Sequence, residues 1–229
     1  MSKPDMKTTA PTNYYLKRQH KLLKNHHKMM QSGQYIMRHQ YEPAFIEHVI
    51  EQTEAEFIGL IPEIPYIGGA DNPFTDTLEQ MTTLLALYRV LRRNGRSLPE
   101  IGELVRDMAQ HHIEQFPRFL RQLIGRLYMT KLWRKRTLKK AAQSQKRTYA
   151  SDFVYEVVEN NGQEFAWGVN YQECGVVKFF AQQNAAEFTP YMCLIDYLVF
   201  PSIGIHLKRT GTIANGCSHC DFRFVKNSI

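Results

Sequence analysis

The chain has 229 residues, of which 43% are hydrophobic and 22% charged, and this balance is typical of a globular protein with a full core. No apolar run approaches the ~18 residues that a membrane-spanning helix needs. The polar start "MSKPDMKTTAPTNYY" lacks the apolar centre of a secretory signal. We therefore expect a cytoplasmic protein without a transmembrane segment, in which cysteines are free, metal-bound or catalytic. The sequence gives no indication of an oligomeric state.

The formal charge of +7 belongs to one segment. Residues 118–147 contain eleven Lys and Arg residues and no Asp or Glu, which leaves eighteen basic and twenty-two acidic residues elsewhere. The basicity is therefore a property of one element, and the remainder of the chain is slightly acidic.

The first half of the chain is predicted to be helical. Residues 1–13 have two prolines and no periodicity, which predicts a disordered tail. Apolar residues at helical spacing predict three helices, over residues 14–30, 43–60 and 75–93. The last of these is expected to be capped by Thr75 or Asp76, and the loop "IPEIPYIGGADNP" precedes it.

Two more helices follow. Ser97 and Glu100 form the pattern of a capping box, which predicts the start of a helix. Pro117 is expected to separate that helix from a single basic helix over residues 118–146.

The composition becomes β-rich after residue 151. "DFVYEVVEN" and "EFAWGVNYQE" are predicted strands on either side of Asn161 and Gly162, a pair typical of tight hairpins. "GVVKFFAQQN" and "TPYMCLIDYLVF" are predicted helices, the second with Thr189 as cap and Pro190 in its first turn. "IHLKRTGTIA" and "HCDFRFV" are predicted to close the sheet as a strand pair.

The predicted fold class is therefore α+β. A helical region, residues 14–147, is expected to pack as a layer on a C-terminal β-β-α-α-β-β unit with an antiparallel sheet, residues 151–229. We expect the two regions to form one integrated domain.

Strand alternation assigns the residues around the last two cysteines to opposite faces of the predicted strand. Cys220 is expected on the core face with two phenylalanines, whereas His219 and Asp221 are expected on the opposite face with Cys217. The two cysteines then cannot reach one metal ion from a regular strand, and a turn between them would be needed.

Cys193 and Asp196 lie three residues apart, on one face of a predicted helix. Apolar neighbours surround Asp196, so its carboxylate must find a partner or be neutralised. Arg209 suits it better than Lys208, because a guanidinium can pair with a carboxylate through two hydrogen bonds. A purely structural ion pair, or a helix turned so that Asp196 meets water, is the alternative.

Cys174 precedes the predicted start of a helix, where the helix dipole can lower a thiol pKa from ~8.5 by about one unit or more. The alternative, preferred for Cys174 and Cys193 taken singly, is that each is a small buried hydrophobic residue.

Four short motifs follow one another in the C-terminal part: "YQECG" (171–175), "PYMCLIDY" (190–197), "KRTGTIANG" (208–216) and "CDFRF" (220–224). In this order they resemble the family of L-2-amino-thiazoline-4-carboxylic acid hydrolases, over residues 150–229. The resemblance implies a hydrolase that opens a small cyclic amidine or amide at a carbon–nitrogen centre. In that family a thiazoline carboxylate is opened to a carbamoyl-cysteine product, and no cofactor is expected.

For such chemistry Cys220 is assigned as the nucleophile, and Asp221, His219 and Asp196 are candidates to move protons. Because neighbours in a strand face opposite ways, His206 or His112 is the alternative to His219 as the histidine partner of a cysteine.

Substrate binding is assigned to a second set of residues. Arg209 would bind a substrate carboxylate, and Thr212, or backbone amides near Gly216, would hold an oxyanion. Cys193 and Cys174 would line the site of this small-molecule substrate.

A zinc-binding or small-molecule-binding module is the main alternative. Cys174, Cys193, Cys217 and Cys220, with or without His219, would satisfy tetrahedral coordination, and the zinc could also activate water. The spacing is not diagnostic, because C-x2-C is half of a zinc signature and the other two cysteines are nineteen positions apart.

The basic helix offers another alternative, binding to nucleic acid or to a membrane surface. The preferred interpretation is that its apolar stripe packs on the β-layer while its basic face meets solvent. Known RNA- and DNA-binding signatures are absent from the sequence, so no specific nucleic acid is expected as a partner.

Overall fold

The computed structural model describes residues 14–160, 162 and 164–226. In this part of the chain an N-terminal helical region precedes a four-stranded antiparallel sheet with further helices, so the predicted α+β class is confirmed. The helices are α1 Tyr14–Lys17, α2 Gln19–Met37, α3 Pro43–Leu60, α4 Thr75–Arg93, α5 Leu98–Glu114, α6 Arg118–Tyr128, α7 Lys131–Ser144, α8 Gly175–Gln182, α9 Thr189–Leu194 and α10 Asp196–Ser202. The strands are β1 Val154–Glu159, β2 Trp167–Glu173, β3 Ile205–Lys208 and β4 Cys220–Lys226. The predicted tail, residues 1–13, and Asn161 of the predicted hairpin lie outside the described residues.

The chain divides into two compact units. The first contains the described residues up to Val105 together with Thr148–Ser151, and the second contains Arg106–Arg147 and the chain from Asp152 onward. Helices α6 and α7 therefore group with the sheet, whereas the sequence pattern placed them with the N-terminal helices. No helix among the described residues is both long and apolar enough to cross a membrane.

The first unit buries the apolar faces of α2, α3 and α4. His26 of α2 stacks on Phe57 of α3, with ring centroids 4.4 Å apart, and its Nδ1 lies 3.2 Å from Thr83 Oγ1. Burial lowers the pKa of His26 to about 4, so this histidine is a neutral part of the core.

The helix starts of the first unit agree only in part with the sequence prediction. The capping box forms, since Glu100 N donates to Ser97 Oγ at 3.4 Å and Ser97 N donates to Glu100 Oε2 at 3.3 Å. The predicted cap of α4 is wrong: Phe74 occupies the cap position without a side-chain hydrogen bond. Thr75 instead donates its hydroxyl to the carbonyl of Gly69 at 2.6 Å.

The sheet of the second unit has the order β1-β2-β4-β3, with all pairs antiparallel. Trp167 of β2 lies opposite Phe224 of β4, and both are buried. Tyr128 at the end of α6 stacks on Trp167 with ring centroids 5.1 Å apart, and Phe200 of α10 lies 5.0 Å from Phe224. This aromatic cluster attaches α6 and α10 to one face of the sheet.

Two helices that the sequence predicted as continuous are broken. The basic segment stops at Tyr128 and restarts at Lys131, because Thr130 accepts a hydrogen bond from Trp133 N at 3.2 Å and caps α7. The other break lies at Ile195, whose N–H bonds to the carbonyl three residues back, at Met192. Asp196 then begins α10, at the N-terminal end where a negative charge is favourable.

The predicted cap of the helix before this break is also different. Thr189 is the first residue of α9 and Phe188 is its cap. The Thr189 hydroxyl is buried and has no hydrogen-bond partner within the described ranges.

Candidate active site

Asp196 and Arg209 form the ion pair that the sequence predicted. Arg209 Nη1 donates to Asp196 Oδ2 at 2.7 Å, and Nη2 donates to the carbonyl oxygen of Cys193 at 2.7 Å. The Arg209 side chain is only 3% exposed, whereas that of Asp196 is 34% exposed. The guanidinium thus ties the break between α9 and α10 to the end of β3, and leaves part of the carboxylate accessible.

The environment of Asp196 makes it a weak base near neutral pH. Burial raises the pKa of this carboxyl to about 6, although the charge and hydrogen bond of Arg209 act in the opposite direction. The carboxylate therefore combines a raised pKa with a side chain that is still 34% exposed.

Arg209 is held from both sides by aromatic rings. Its guanidinium carbon lies 4.8 Å from the ring centre of Tyr197 and 5.0 Å from that of Phe222. The Tyr197 hydroxyl also donates to the carbonyl oxygen of Arg209 at 3.2 Å. These contacts fix the plane of the guanidinium and therefore the position of the Asp196 carboxylate.

The charge of Asp196 acts on three of the four cysteines. Asp196 raises the pKa of Cys174, Cys193 and Cys220 in addition to the larger effect of burial, and Cys220 also acts on the other two thiols. The pKa rises to about 11 for Cys174 and to about 12 for Cys193. All four cysteines are free. The three thiols near Asp196 are therefore protonated at neutral pH.

Cys174 does not have the lowered pKa that its place before α8 indicated. Burial raises the pKa, and the backbone N–H groups of Val177 and Val176 oppose this rise without cancelling it. Desolvation of the thiolate is therefore the stronger effect at this helix start.

Cys220 is held by the loop that precedes it. It begins β4 on the buried face of the sheet, as strand alternation predicted, and is 6% exposed. Its sulfur accepts a hydrogen bond from Ile213 N at 3.2 Å. Burial raises its pKa, while this N–H and the charge of Arg209 lower it.

Thr212 shapes the turn that presents this N–H. Its hydroxyl oxygen accepts a hydrogen bond from Asn215 N at 3.2 Å, at the start of the one-turn helix Ile213–Asn215. Thr212 is 4% exposed. Its side chain is therefore engaged in capping the turn beside Cys220.

Asp221 faces the other way and holds the same loop. Its carboxylate accepts Thr210 N at 2.9 Å, Thr210 Oγ1 at 2.8 Å and Gly211 N at 2.8 Å. Partial burial opposes the change, but these hydrogen bonds lower the pKa of Asp221. Asp221 is thus an ionised anchor for the loop.

The remaining sequence candidates lie away from the buried face. His219 precedes β4, and its Nδ1 is 3.0 Å from Ser218 Oγ. Cys217 is exposed, and its sulfur packs so closely on Gly211 that a Cβ at that position would contact it. His206 lies on the exposed face of β3. His112 stays on α5, edge-on to Phe116 with ring centroids 5.5 Å apart.

Two tyrosines near the carboxylate were missed by the sequence prediction. Tyr171 lies directly opposite Cys220 in the β2–β4 register, and Asp196 and Cys174 act on its pKa, which burial raises well above the usual value. Tyr128 is half-buried, and burial and the charge of Asp196 both raise its pKa. Tyr171 is the first residue of the "YQECG" motif, so this motif could have indicated it as a site residue.

The zinc alternative finds no set of ligands in the described part of the chain. Within residues 14–160, 162 and 164–226, no three or more His, Cys, Asp and Glu side chains are grouped so as to hold a metal ion. The described residues combine three protonated thiols, a partly exposed carboxylate and two half-buried tyrosines.

Comparisons with known proteins assign the chain to a family. A family model described as L-2-amino-thiazoline-4-carboxylic acid hydrolase matches residues 77–224, which extends from α4 into β4. Searches of curated proteins and of solved structures gave no match. The matched segment is well over half of the chain and contains every residue from Cys174 to Asp221 discussed above. The chain therefore belongs to the L-2-amino-thiazoline-4-carboxylic acid hydrolase family.

Proposed function

We propose that this protein hydrolyses a small cyclic amidine that carries a carboxylate, of the 2-amino-thiazoline-4-carboxylate type, with Cys220 as nucleophile and Asp196 as proton acceptor. The observation that carries the proposal is the partly exposed Asp196 carboxylate, held by Arg209 with a pKa of about 6, whose charge acts on three protonated thiols. Membership in a hydrolase family supports the reaction class. The pairing of a thiol with a carboxylate supplies the nucleophile and the base that ring opening needs.

In the first step the Cys220 sulfur bonds to the amidine carbon as its proton passes to Asp196. The bond from that carbon to a ring heteroatom then breaks, and the leaving atom takes up the proton. In the second step one water molecule attacks the same carbon and Asp196 accepts one of its protons. The Cys220 sulfur leaves and takes that proton back as a thiol, while the remaining hydroxyl proton passes to the amidine nitrogen as the carbonyl forms. One water is consumed and a carbamoyl product is formed.

Cys220 is preferred over the other two thiols for two reasons. Its sulfur accepts the N–H of Ile213 at 3.2 Å, and this donor remains in place to stabilise a thiolate. The charge of Arg209 lowers its pKa, and its position opposite Tyr171 places a phenol beside it. Cys174 and Cys193 are assigned to the walls of the substrate site.

Arg209 is assigned to positioning, and not to binding the substrate carboxylate. Both terminal nitrogens already donate to protein acceptors, Asp196 and the Cys193 carbonyl, and the side chain is 3% exposed. Thr212 and Asp221 act in the same way, by shaping the loop that carries the Ile213 N–H.

The test is a ring-opening assay with the full chain. The wild type is incubated with 2-amino-thiazoline-4-carboxylate and, in parallel, with a hydantoin carboxylate, and the carbamoyl product is followed by mass spectrometry. We expect turnover of the thiazoline, a loss of at least about 10³-fold in Cys220→Ser, and no change in Cys217→Ser, which alters an exposed cysteine. A covalent adduct on Cys220 after rapid quenching would support the two-step scheme.

Three outcomes would contradict the proposal. Full turnover by Cys220→Ser removes the nucleophile assignment but leaves the reaction class intact. Absence of turnover on both rings by the wild type removes the substrate class. Stoichiometric zinc in protein purified without chelators, lost in Cys174→Ser, would assign the thiols to a metal.

A further inference from the structure

Helix α6 exposes a continuous apolar strip. Its members recur three or four residues apart and are between 40% and 68% exposed. They are Phe116, just before the helix, and Phe119, Leu120, Leu123, Ile124 and Leu127. Leu132 and Trp133 at the start of α7 continue the set, at 61% and 40% exposed. We name these eight residues the α6–α7 apolar strip.

The strip is not the side by which α6 packs on its own unit. That side carries Gly125, where a Cβ would overlap the carbonyl oxygen of Ile203, and Tyr128, which lies against Trp167 and Phe224. Positions 125 and 128 are far around the helix from position 123, at 100° per residue. The expectation that the apolar stripe of this segment packs on the β-layer is therefore wrong for α6.

Positive charge surrounds the strip. Exposed basic side chains occur on both helices, and residues 118–147 contain no Asp or Glu. On α6 they are Arg118 and Arg126, and on α7 they are Lys131, Lys135, Arg136 and Lys139. One feature therefore combines a broad apolar surface with a one-signed charge.

We infer that this face binds the surface of an anionic phospholipid bilayer, with α6 lying in the plane of the headgroups. A helix with an apolar face and flanking Lys and Arg residues inserts its apolar side about 5–10 Å into the interface, while the basic side chains meet lipid phosphates. The indole of Trp133 suits the boundary between these two environments.

The charge of this face argues against two other binding partners, a second copy of the chain and a nucleic acid. A second copy packed strip against strip would bring two sets of basic side chains together, with no acidic side chain of this segment to neutralise them. A nucleic acid would use the charges, but its phosphate backbone offers nothing to the aliphatic side chains of Leu120, Leu123 and Leu127. Only a surface that is both anionic and apolar uses the whole feature.

The test is co-sedimentation of the full chain with vesicles of phosphatidylcholine alone and of phosphatidylcholine mixed with phosphatidylglycerol. We expect binding to the mixed vesicles, weakened by salt, and little binding to the neutral ones. Phe119→Gln together with Leu123→Gln should weaken binding at least about tenfold, since two exposed apolar side chains no longer enter the interface. Arg126→Gln should weaken it about fivefold.

A matched control distinguishes binding through this strip from nonspecific hydrophobic adsorption to vesicles. Ile58→Gln on α3 removes an exposed apolar residue of the other unit, 39% exposed, and should leave vesicle binding unchanged. Ring-opening turnover in solution should be the same in all these variants, which shows that they fold.

Four experimental outcomes would overturn the inference, and two of them would identify a different binding partner. Equal binding of the Phe119/Leu123 variant and the wild type to mixed vesicles would overturn the inference. So would a concentration-dependent dimer that this variant abolishes, or a nucleic-acid complex formed in preference to vesicles. Absence of binding to mixed vesicles at low salt would overturn it directly.

Discussion

Arg209 bonds Asp196 with one terminal nitrogen and the carbonyl oxygen of Cys193 with the other, both at 2.7 Å. The Cys-x-x-Asp and Arg-x-x-Thr motifs therefore form one structural unit, although they lie on different elements. Arginine alone among the basic side chains can satisfy both acceptors with one planar group. The result is a carboxylate whose position is fixed by a buried cation and whose side chain stays 34% exposed.

The proton-accepting role that we propose for Asp196 predicts the pH dependence of activity. Since its pKa is raised to about 6, the carboxylate is protonated below that pH and cannot accept a proton from a thiol. We expect kcat/KM to fall with acidification through about pH 6. Asp196→Asn should lower kcat/KM by about 10²–10⁴-fold and remove this limb of the profile. Glu164→Gln, at a carboxylate 89% exposed, is the control.

Replacing Arg209 by lysine should destabilise the protein. An ammonium group cannot replace both hydrogen bonds and also stack between Tyr197 and Phe222, so the free energy of unfolding should fall by about 1.5–3 kcal/mol. Urea denaturation measures this. Lys208→Gln, which removes only an exposed ion pair with Glu164, should change the free energy of unfolding by less than about 0.5 kcal/mol. Equal effects of the two substitutions would contradict the positioning role.

The four thiols should react at very different rates. Cys217 is exposed, whereas burial keeps the thiols of Cys174, Cys193 and Cys220 protonated and shielded. Iodoacetamide at neutral pH should therefore modify one cysteine quickly and the others slowly. Peptide mapping should identify the fast site as Cys217, and Cys217→Ser should abolish the fast phase. Rapid labelling of Cys220 in the free protein would contradict its raised pKa.

Asp221→Asn should weaken the loop that carries the Ile213 N–H. A neutral amide accepts hydrogen bonds from Thr210 and Gly211 less strongly, so the free energy of unfolding should fall by about 1–2 kcal/mol at neutral pH. Because the pKa of Asp221 is lowered from 3.8, the stabilisation is present above that pH and is lost as pH falls below it. The wild type and the variant should therefore converge in acid. Asp107→Asn, in an exposed ion pair with Arg106, should show little difference at either pH.

Two helical glycines should respond in opposite ways to alanine. A Cβ at Gly125 would overlap the carbonyl oxygen of Ile203, so Gly125→Ala should destabilise by about 1–3 kcal/mol. At Gly59 of α3 nothing lies within 4 Å, and alanine should stabilise by about 0.5–1 kcal/mol through its higher helix propensity. Thermal unfolding of both variants checks the sign of each change. A Gly125→Ala variant as stable as the wild type would show that the close approach of α6 to Ile203 is absent.

Local patterns predicted much of the secondary structure. The helix Pro43–Leu60 and the capping box of Ser97 and Glu100 were predicted with their boundaries, because both depend on residues within a few positions of each other. The breaks at Thr130 and Ile195 were missed. Each occurs in a segment whose apolar spacing is continuous, and what interrupts it is local hydrogen bonding together with packing on the sheet.

The sequence by itself determined the fold class and the face of β4 on which Cys220 lies, and it favoured Arg209 as the partner of Asp196. Alternation along a strand and the need of a buried carboxylate for a cation are strong enough to be used without coordinates. Only the tertiary structure decided the roles around that pair. Register brought Tyr171 opposite Cys220, the loop of Thr210 and Gly211 engaged Asp221 as an anchor, and burial outweighed the helix dipole at Cys174. These outcomes depend on distances and desolvation between elements far apart in the chain, which no local pattern encodes.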